Sequence, residues 1–435
     1  MNIVQGIGIH VRALFSLRLY CVAQPFRMKI FYGWRMVGAA FGIQFLLAAF
    51  LTQAMGLYIA ILSEEMGWSK TTLSGAAALQ SVESAIIGPV LGWVMDRVGP
   101  QLMIRWGMVL FSAGLLLLSQ VQSVSLFYTS AILMAIGASL GGYFPLSVAL
   151  VHWFEKFRAR ALSLMSLGLA TGGLAVPAMA WSMEKWGWRA TSVGTGLIVL
   201  LVGLPLARLI LRRPQDHGEH VDGIVPTPAQ IQDAEHPTTE SSADFTAAQA
   251  LRTRAFWMLA MGHGLALLVV SAVNVHAITH MKEGLGYSVS TASWVILVMT
   301  CCQVGGVLVG AAIGDWFDKR KVSALCMLAH ALGLLCLTFA MGMPMLLGFA
   351  LFHGVAWGLR GPFMQAIRAD YFGRNAIGMI LGMSAAIIAL GQIGGPMIAG
   401  MMADWTGNYR GGFTVLAVLS ALGSLTFMLA TKPVR

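Results

Sequence analysis

From residue 34 onward the chain is a succession of long apolar runs separated by short polar stretches. A helix needs about 20 predominantly apolar residues to cross the hydrocarbon layer. Runs of that length lie near 34–62, 70–95, 101–120, 125–151, 158–183, 189–211, 255–280, 290–315, 320–341, 343–368, 374–402 and 409–431. The pattern predicts an all-α membrane protein of twelve transmembrane helices. One long polar stretch, "RRPQDHGEHVDGIVPTPAQIQDAEHPTTESSADF", interrupts it after the sixth run and has the make-up of a solvated linker. The expected organisation is a six-helix bundle over 28–211, a cytoplasmic linker over 212–252 and a second six-helix bundle over 253–435. Residues 1–27 lack the small-residue cleavage site of a signal peptide and read as an extension ahead of "MKIFYGWR", a candidate native start at 28.

Composition agrees with the pattern: 57% of the residues are hydrophobic and 11% charged, far more apolar than soluble cores bury. The net charge of +10 is not gathered into a basic patch with interleaved aromatics, so no nucleic-acid partner is expected. Instead the basic residues recur at every second loop, among them Arg97, Lys156, Arg158, Arg160, Arg212, Lys319, Arg320, Arg368 and Arg374. By the positive-inside rule both termini are cytoplasmic, and the chain is a multi-pass protein of a bacterial-type inner membrane. The five cysteines fall mostly inside the runs without metal-ligand spacing, which argues against a disulfide framework or a zinc site. No Walker loop, catalytic triad or metal cluster appears, so neither an enzyme nor a cofactor is expected.

The two halves repeat each other. "MGWSKTTLS" at 66–74 returns as "LGYSVSTAS" from Leu285, and Asp96 and Asp315 follow Trp68 and Tyr287 at the same distance. "WFEKFRARALSL" from 153 returns as "YFGRNAIGMILG" from 371. Gly92, Asp96, Arg97 and Gly99 match a G-x-x-x-D-R-x-G loop, echoed by "GDWFDKRK" at 314–321. With six plus six spans and a central linker, the chain resembles the major facilitator superfamily. "FYGWRM", "EMGWSKTTLS", "GPVLGWVMDRVGP" and "GYFPLSVALVHWF" extend the resemblance to its branch of monocarboxylate transporters and oxalate:formate antiporters. That resemblance implies small organic anions, often moved with a proton, and a gating role for Asp96, Arg97 and Asp315. The binding residues of that branch do not carry over. The animal members' helix-eight Asp and Arg would fall near Cys302 and Gly306, and the antiporter's helix-eleven lysine has no counterpart in 376–402.

The deep polar residues of this chain are therefore its own candidates. Glu83 lies about 13 residues from both Lys70 and Asp96, roughly 20 Å from either end of its helix at 1.5 Å per residue. A carboxylate at that depth costs about 2.5–3.5 kcal/mol, so it must face a cavity, find a partner or hold a proton. A coupling proton is the functional reading, and a hydrogen bond to a neighbouring helix the plain one. Arg360, about 12 Å before Arg368, needs an anion: Glu83 in an empty transporter, a substrate carboxylate in a loaded one, unless carbonyls near the helix end satisfy it. His353, one heptad before Arg360, and His276, Asn274, Gln53 and Tyr143 are further substrate-binding candidates; for the histidines plain packing is the commoner explanation, and helix ends could equally bury Gln53 and Tyr143 against carbonyls. The function expected is secondary active transport of small organic anions, monocarboxylate-like and proton-coupled, by alternating access. The competing readings are a proton-driven drug or metabolite exporter, which needs no buried arginine, and a transporter-like sensor, which needs no proton path. The expected partners are the anion, protons and the lipid bilayer; the oligomeric state is left open.

Overall fold

The computed structural model describes residues 31–68, 83, 88, 90–225 and 244–433, and among them every regular element is helical. The N-terminal extension, most of the run at 70–95 and linker residues 226–243 lie outside the described residues. In chain order the main helices are α1 Tyr32–Leu47, α2 Met55–Glu65, α3 over 90–98, α4 Pro100–Leu118, α5 Val124–Gly141, α6 Tyr143–Trp153, α7 Arg158–Thr171, α8 Val176–Ile198 and α9 Leu204–Leu209. The second half comprises α10 Arg254–Thr279, α11 Val289–Ile313, α12 Lys319–Thr338, α13 Met343–Phe372, α14 Ile377–Thr406 and α15 Arg410–Leu429.

Nine stretches of described residues are long and apolar enough to cross a bilayer. One of them, Arg158–Leu209, contains two expected spans, folded back on each other at Gly187, whose φ of 80° is open to glycine at no steric cost. The expected second span is largely outside the described residues. The remaining one, α13, has 30 residues but is not among the nine, because its histidine and arginines lower its hydropathy.

Several runs are less regular than their periodicity suggests. The first is interrupted by a π-helical turn, Ala48–Thr52, before resuming as α2. The fourth breaks at Gly142 (φ −93°, ψ −146°), and Pro145 follows within the first turn of α6, where its missing N–H leaves no helical bond unmade. Interior prolines Pro362 and Pro396 interrupt the ladders of α13 and α14.

Glycines set where the halves meet. Gly310 packs on Ser163 of α7, and Gly314 faces Ala159. In the equivalent contact, α3 crosses α14 so closely that a Cβ on Gly92 would lie 2.6 Å from the Gly378 carbonyl oxygen. Small residues of this kind permit the backbone approach on which membrane helix packing relies. Gly92→Val is therefore expected to hold α3 off α14, and disulfide cross-linking between cysteines placed at this crossing should fall several-fold.

Candidate functional site

Between the halves lies a cavity of about 570 Å³. The first half contributes Leu91, Ser139, Tyr143, Phe144, Ser166 and Leu169 to its wall. The second contributes His263, Asn274, Gln303, Trp357, Arg360, Gln365, Arg368, Ser384 and Gln392. No carboxylate lies among the described lining residues, while two guanidiniums do.

Both arginines belong to α13, and glycines flank Arg360 on that helix. Gly358 abuts Gln303 closely, and Gly361 faces open space within the lining. Arg360 is completely shielded from solvent, and its Nε and Nη1 carry no hydrogen bond among the described residues. An unpaired buried cation is among the costliest arrangements a protein interior can hold. Arg368 is equally deep but satisfied: Nη1 donates to Met364 O (2.9 Å), Nη2 to Leu259 O (3.4 Å) and Nε to Ser384 Oγ (3.3 Å). Sequence reading placed Arg368 in a cytoplasmic loop. The structure puts it 1% exposed at the cavity wall, because a 30-residue helix extends beyond the apolar run that marks it.

The other candidates divide. Tyr143 lines the cavity with its hydroxyl 3.3 Å from Ser166 Oγ, and Asn274 lines it from α10. Glu83 accepts a hydrogen bond from Ser139 (3.0 Å), itself a wall residue. Ion pairs of the described residues join other partners, Arg158–Asp370 and Arg374–Glu155 among them. His353 is fully buried with Nδ1 3.1 Å from Nδ1 of His330, away from the wall. His276 donates from Nε2 to Pro396 O (3.1 Å) and stacks near Tyr409, while Gln53 is exposed beyond the π turn; neither is in the cavity lining. His263 was missed by sequence reading. It is 8% exposed, lines the cavity, and its Nδ1 has no partner among the described residues.

One end of the molecule, rich in basic residues, is bolted across the halves. Asp96 accepts from the backbone N–H groups of Gly378 (3.1 Å) and Met379 (2.9 Å), at the start of α14. Asp315 accepts from Ala159 (2.8 Å) and Arg160 (3.3 Å), at the start of α7. Each carboxylate thus meets the unsatisfied N–H groups and positive dipole end of a helix in the opposite half. Burial pushes both carboxyls above their ordinary pKa, and the amide donors draw them part of the way back. Ion pairs Arg158–Asp370 and Arg374–Glu155 also cross between the halves here, and Lys319 adds a contact to Asp370 at 3.1 Å. Arg97 takes no part: it is exposed, with its guanidinium 4.1 Å over the Trp93 ring.

The sequence profile of the Major Facilitator Superfamily matches residues 40–276 and 259–435. Monocarboxylate transporter 11 of Mus musculus is 24% identical over 413 residues, covering 91% of this chain and 87% of that protein. The glycerol-3-phosphate transporter of Bacillus subtilis is 23% identical over 394 residues, covering 85% of each. Among solved structures, a proton:xylose symporter superposes with a TM-score of 0.72 at 16% identity, over 92% of this chain and 96% of that one. With two six-helix halves, a cavity between them and a profile match from residue 40 to the end, the chain belongs to the major facilitator superfamily and is a transporter rather than an enzyme.

Proposed function

We propose that this chain is a secondary active transporter of small organic anions that works by alternating access, with a proton carried on Glu83. One observation carries the reading: Arg360, a residue of the cavity wall, is buried with its Nε and Nη1 unpartnered among the described residues, and the described wall holds a second guanidinium and no carboxylate. A carboxylate gripping this guanidinium through Nη2 and either Nε or Nη1 would supply the missing charge and an acceptor for one of the unpartnered nitrogens. Relatives named for monocarboxylates and for glycerol 3-phosphate point in the same direction. The basic end is then cytoplasmic, as are both termini, and the conformation is one closed toward the cytoplasm. A proteoliposome panel of labelled carboxylates, with and without an inward proton gradient, tests the reading. Uptake of lipophilic cations in place of every carboxylate would overturn it and favour the exporter reading, for which the apolar side of the wall, Phe144, Leu169 and Trp357, is the supporting observation.

In this scheme Asp96 and Asp315 are paired latches of the cytoplasmic gate. Asp96→Asn keeps one acceptor but loses the charge that strengthens both bonds. It is expected to move the closed-to-open ratio of that end several-fold toward open. Cysteine accessibility on the two membrane faces reads the shift, and unchanged accessibility on both would remove Asp96 from the gate.

A further inference from the structure

The linker between the halves is not only a tether. Its first described part ends near Asp222, and its last begins at Asp244. The Asp222 carboxylate accepts from the backbone N–H groups of Glu155 (3.1 Å), Lys156 (2.8 Å) and Phe157 (3.4 Å). The Asp244 carboxylate accepts from those of Arg374 (2.9 Å) and Asn375 (2.8 Å). These two loops are the equivalent positions of the sequence repeat, "WFEKFR" and "YFGRNA". Each half therefore has the loop before its fifth helix capped by a linker aspartate in the same way, through a chain segment unrelated in sequence at the two places.

The backbone at both sites is shaped to this purpose. Asp222 has a φ of 59°, the one non-glycine residue with positive φ among the described residues, and Gly223 beside it has 69°. Such a conformation costs a side-chain-bearing residue energy and persists only where the surroundings hold it, here three N–H donors. At the other site Gly373, φ 80°, leaves room that a Cβ would take from the Asp244 carboxylate. Phe245 then donates its N–H to Phe372 O at 2.9 Å, and the rings of Phe245 and Phe372 pack edge to face.

The capped loops are also the places from which the halves reach each other. Glu155 and Arg374, one in each loop, form an ion pair across the gate, and Arg158 at the end of the first loop pairs with Asp370. We propose that Asp222 and Asp244 are positioning residues of the gate: each fixes the loop of its own half so that the cross-half ion pairs form, and together they set how firmly this end closes. Among the described residues neither bonds to the opposite half or lines the cavity, so both caps survive the opening motion, and each end of the linker rides with the half it caps. The proposal rests on the alternating-access reading of this end.

The test uses full-length protein in lipid nanodiscs, with spin labels on cysteines replacing Lys156 and Asn375, both exposed, whose backbone N–H groups are kept. Asp222→Ala and Asp244→Ala are each expected to shift the closed-to-open ratio about tenfold toward the longer distance, with Asp→Asn intermediate. Gly373→Ala, which expels the Asp244 carboxylate, should act like Asp244→Ala. Thermal unfolding of each variant separates this from a general loss of stability. A lowered Tm with an unmoved distance distribution overturns the proposal. Cleaving the chain at a protease site between the two aspartates should leave the distribution unchanged. If cleavage shifts it and the cap variants do not, the linker acts as a strap and the positioning role fails. Asp96→Asn and Asp315→Asn run in parallel. If they shift the distribution and the cap variants do not, the gate stands without the caps; if neither set does, the gate reading itself falls.

Discussion

Arg360→Lys is expected to lose about a hundredfold in anion uptake at limiting substrate while folding as the parent does. The guanidinium's Nε and Nη1 are without partners among the described residues, and a carboxylate takes a two-bond grip on such a group through Nη2 and either of them. A hydrogen bond to a charged group contributes roughly 1.5–3 kcal/mol, so replacing a two-bond grip by a single contact costs about 3 kcal/mol, or two factors of ten. Lysine keeps a long apolar stem and a positive charge. However, its ammonium is a compact point charge that cannot form the paired geometry and sheds its proton more readily when buried. The measurement is initial uptake of a labelled carboxylate by reconstituted protein, with thermal unfolding as the control. Wild-type rate and apparent affinity in Arg360→Lys would show that the anion binds elsewhere, and the second guanidinium of the wall, Arg368, would be the place to look.

Glu83→Gln is expected to keep anion exchange across the membrane and to abolish accumulation driven by a proton gradient. The amide resembles the protonated carboxyl in shape, and its oxygen can still accept from Ser139, the wall residue that contacts Glu83. What it cannot do is cycle a charge. In the native protein an ionised Glu83 holds the Ser139 hydroxyl as its donor. A protonated one needs that donor less and carries no charge to oppose a second anion in the cavity. In the proposed scheme proton and anion then favour each other's binding, and by linkage that coupling is reciprocal. Uptake against a substrate gradient at several pH values decides it. If Glu83→Gln concentrates substrate with the parent's pH dependence, the proton travels by another group, and His263, at the wall with an unpartnered Nδ1, becomes the leading alternative.

Much of the architecture was legible in the apolar runs, and the reasons for the exceptions are local. Hydropathy has no access to a one-residue reversal, so the turn at Gly187 was read only as a gap between runs. Asp96 and Asp315 stood out as a repeated pair, but their partners are backbone N–H groups of distant helices, and no side-chain pattern marks those. His353 shares a helix face with Arg360, as the seven-residue spacing implies. Its ring stops in the contact with His330 and is not among the residues of the cavity wall, where Arg360 is. Arg368 reads as a loop residue because the apolar run ends there, while the helix itself continues to Phe372. His263 was passed over because a lone histidine in an apolar run looks the same whether it packs or faces a cavity.

The polarity of α13 has a consequence for how the protein is made. A helix with arginine near its centre is disfavoured in a bilayer by about 2.5–3.5 kcal/mol, and α13 buries Arg360 there and a second arginine, Arg368, nearer its end. It is also the helix whose hydropathy falls short where its neighbours' does not. During biosynthesis it will not leave the insertion machinery for lipid on its own account. It must be received by α11 and α12, already in place, with which it makes its most extensive packing. Commitment of the second half to the membrane is therefore a late, collective step, and lesions in α11 or α12 will appear first as failed insertion of the helix that follows them.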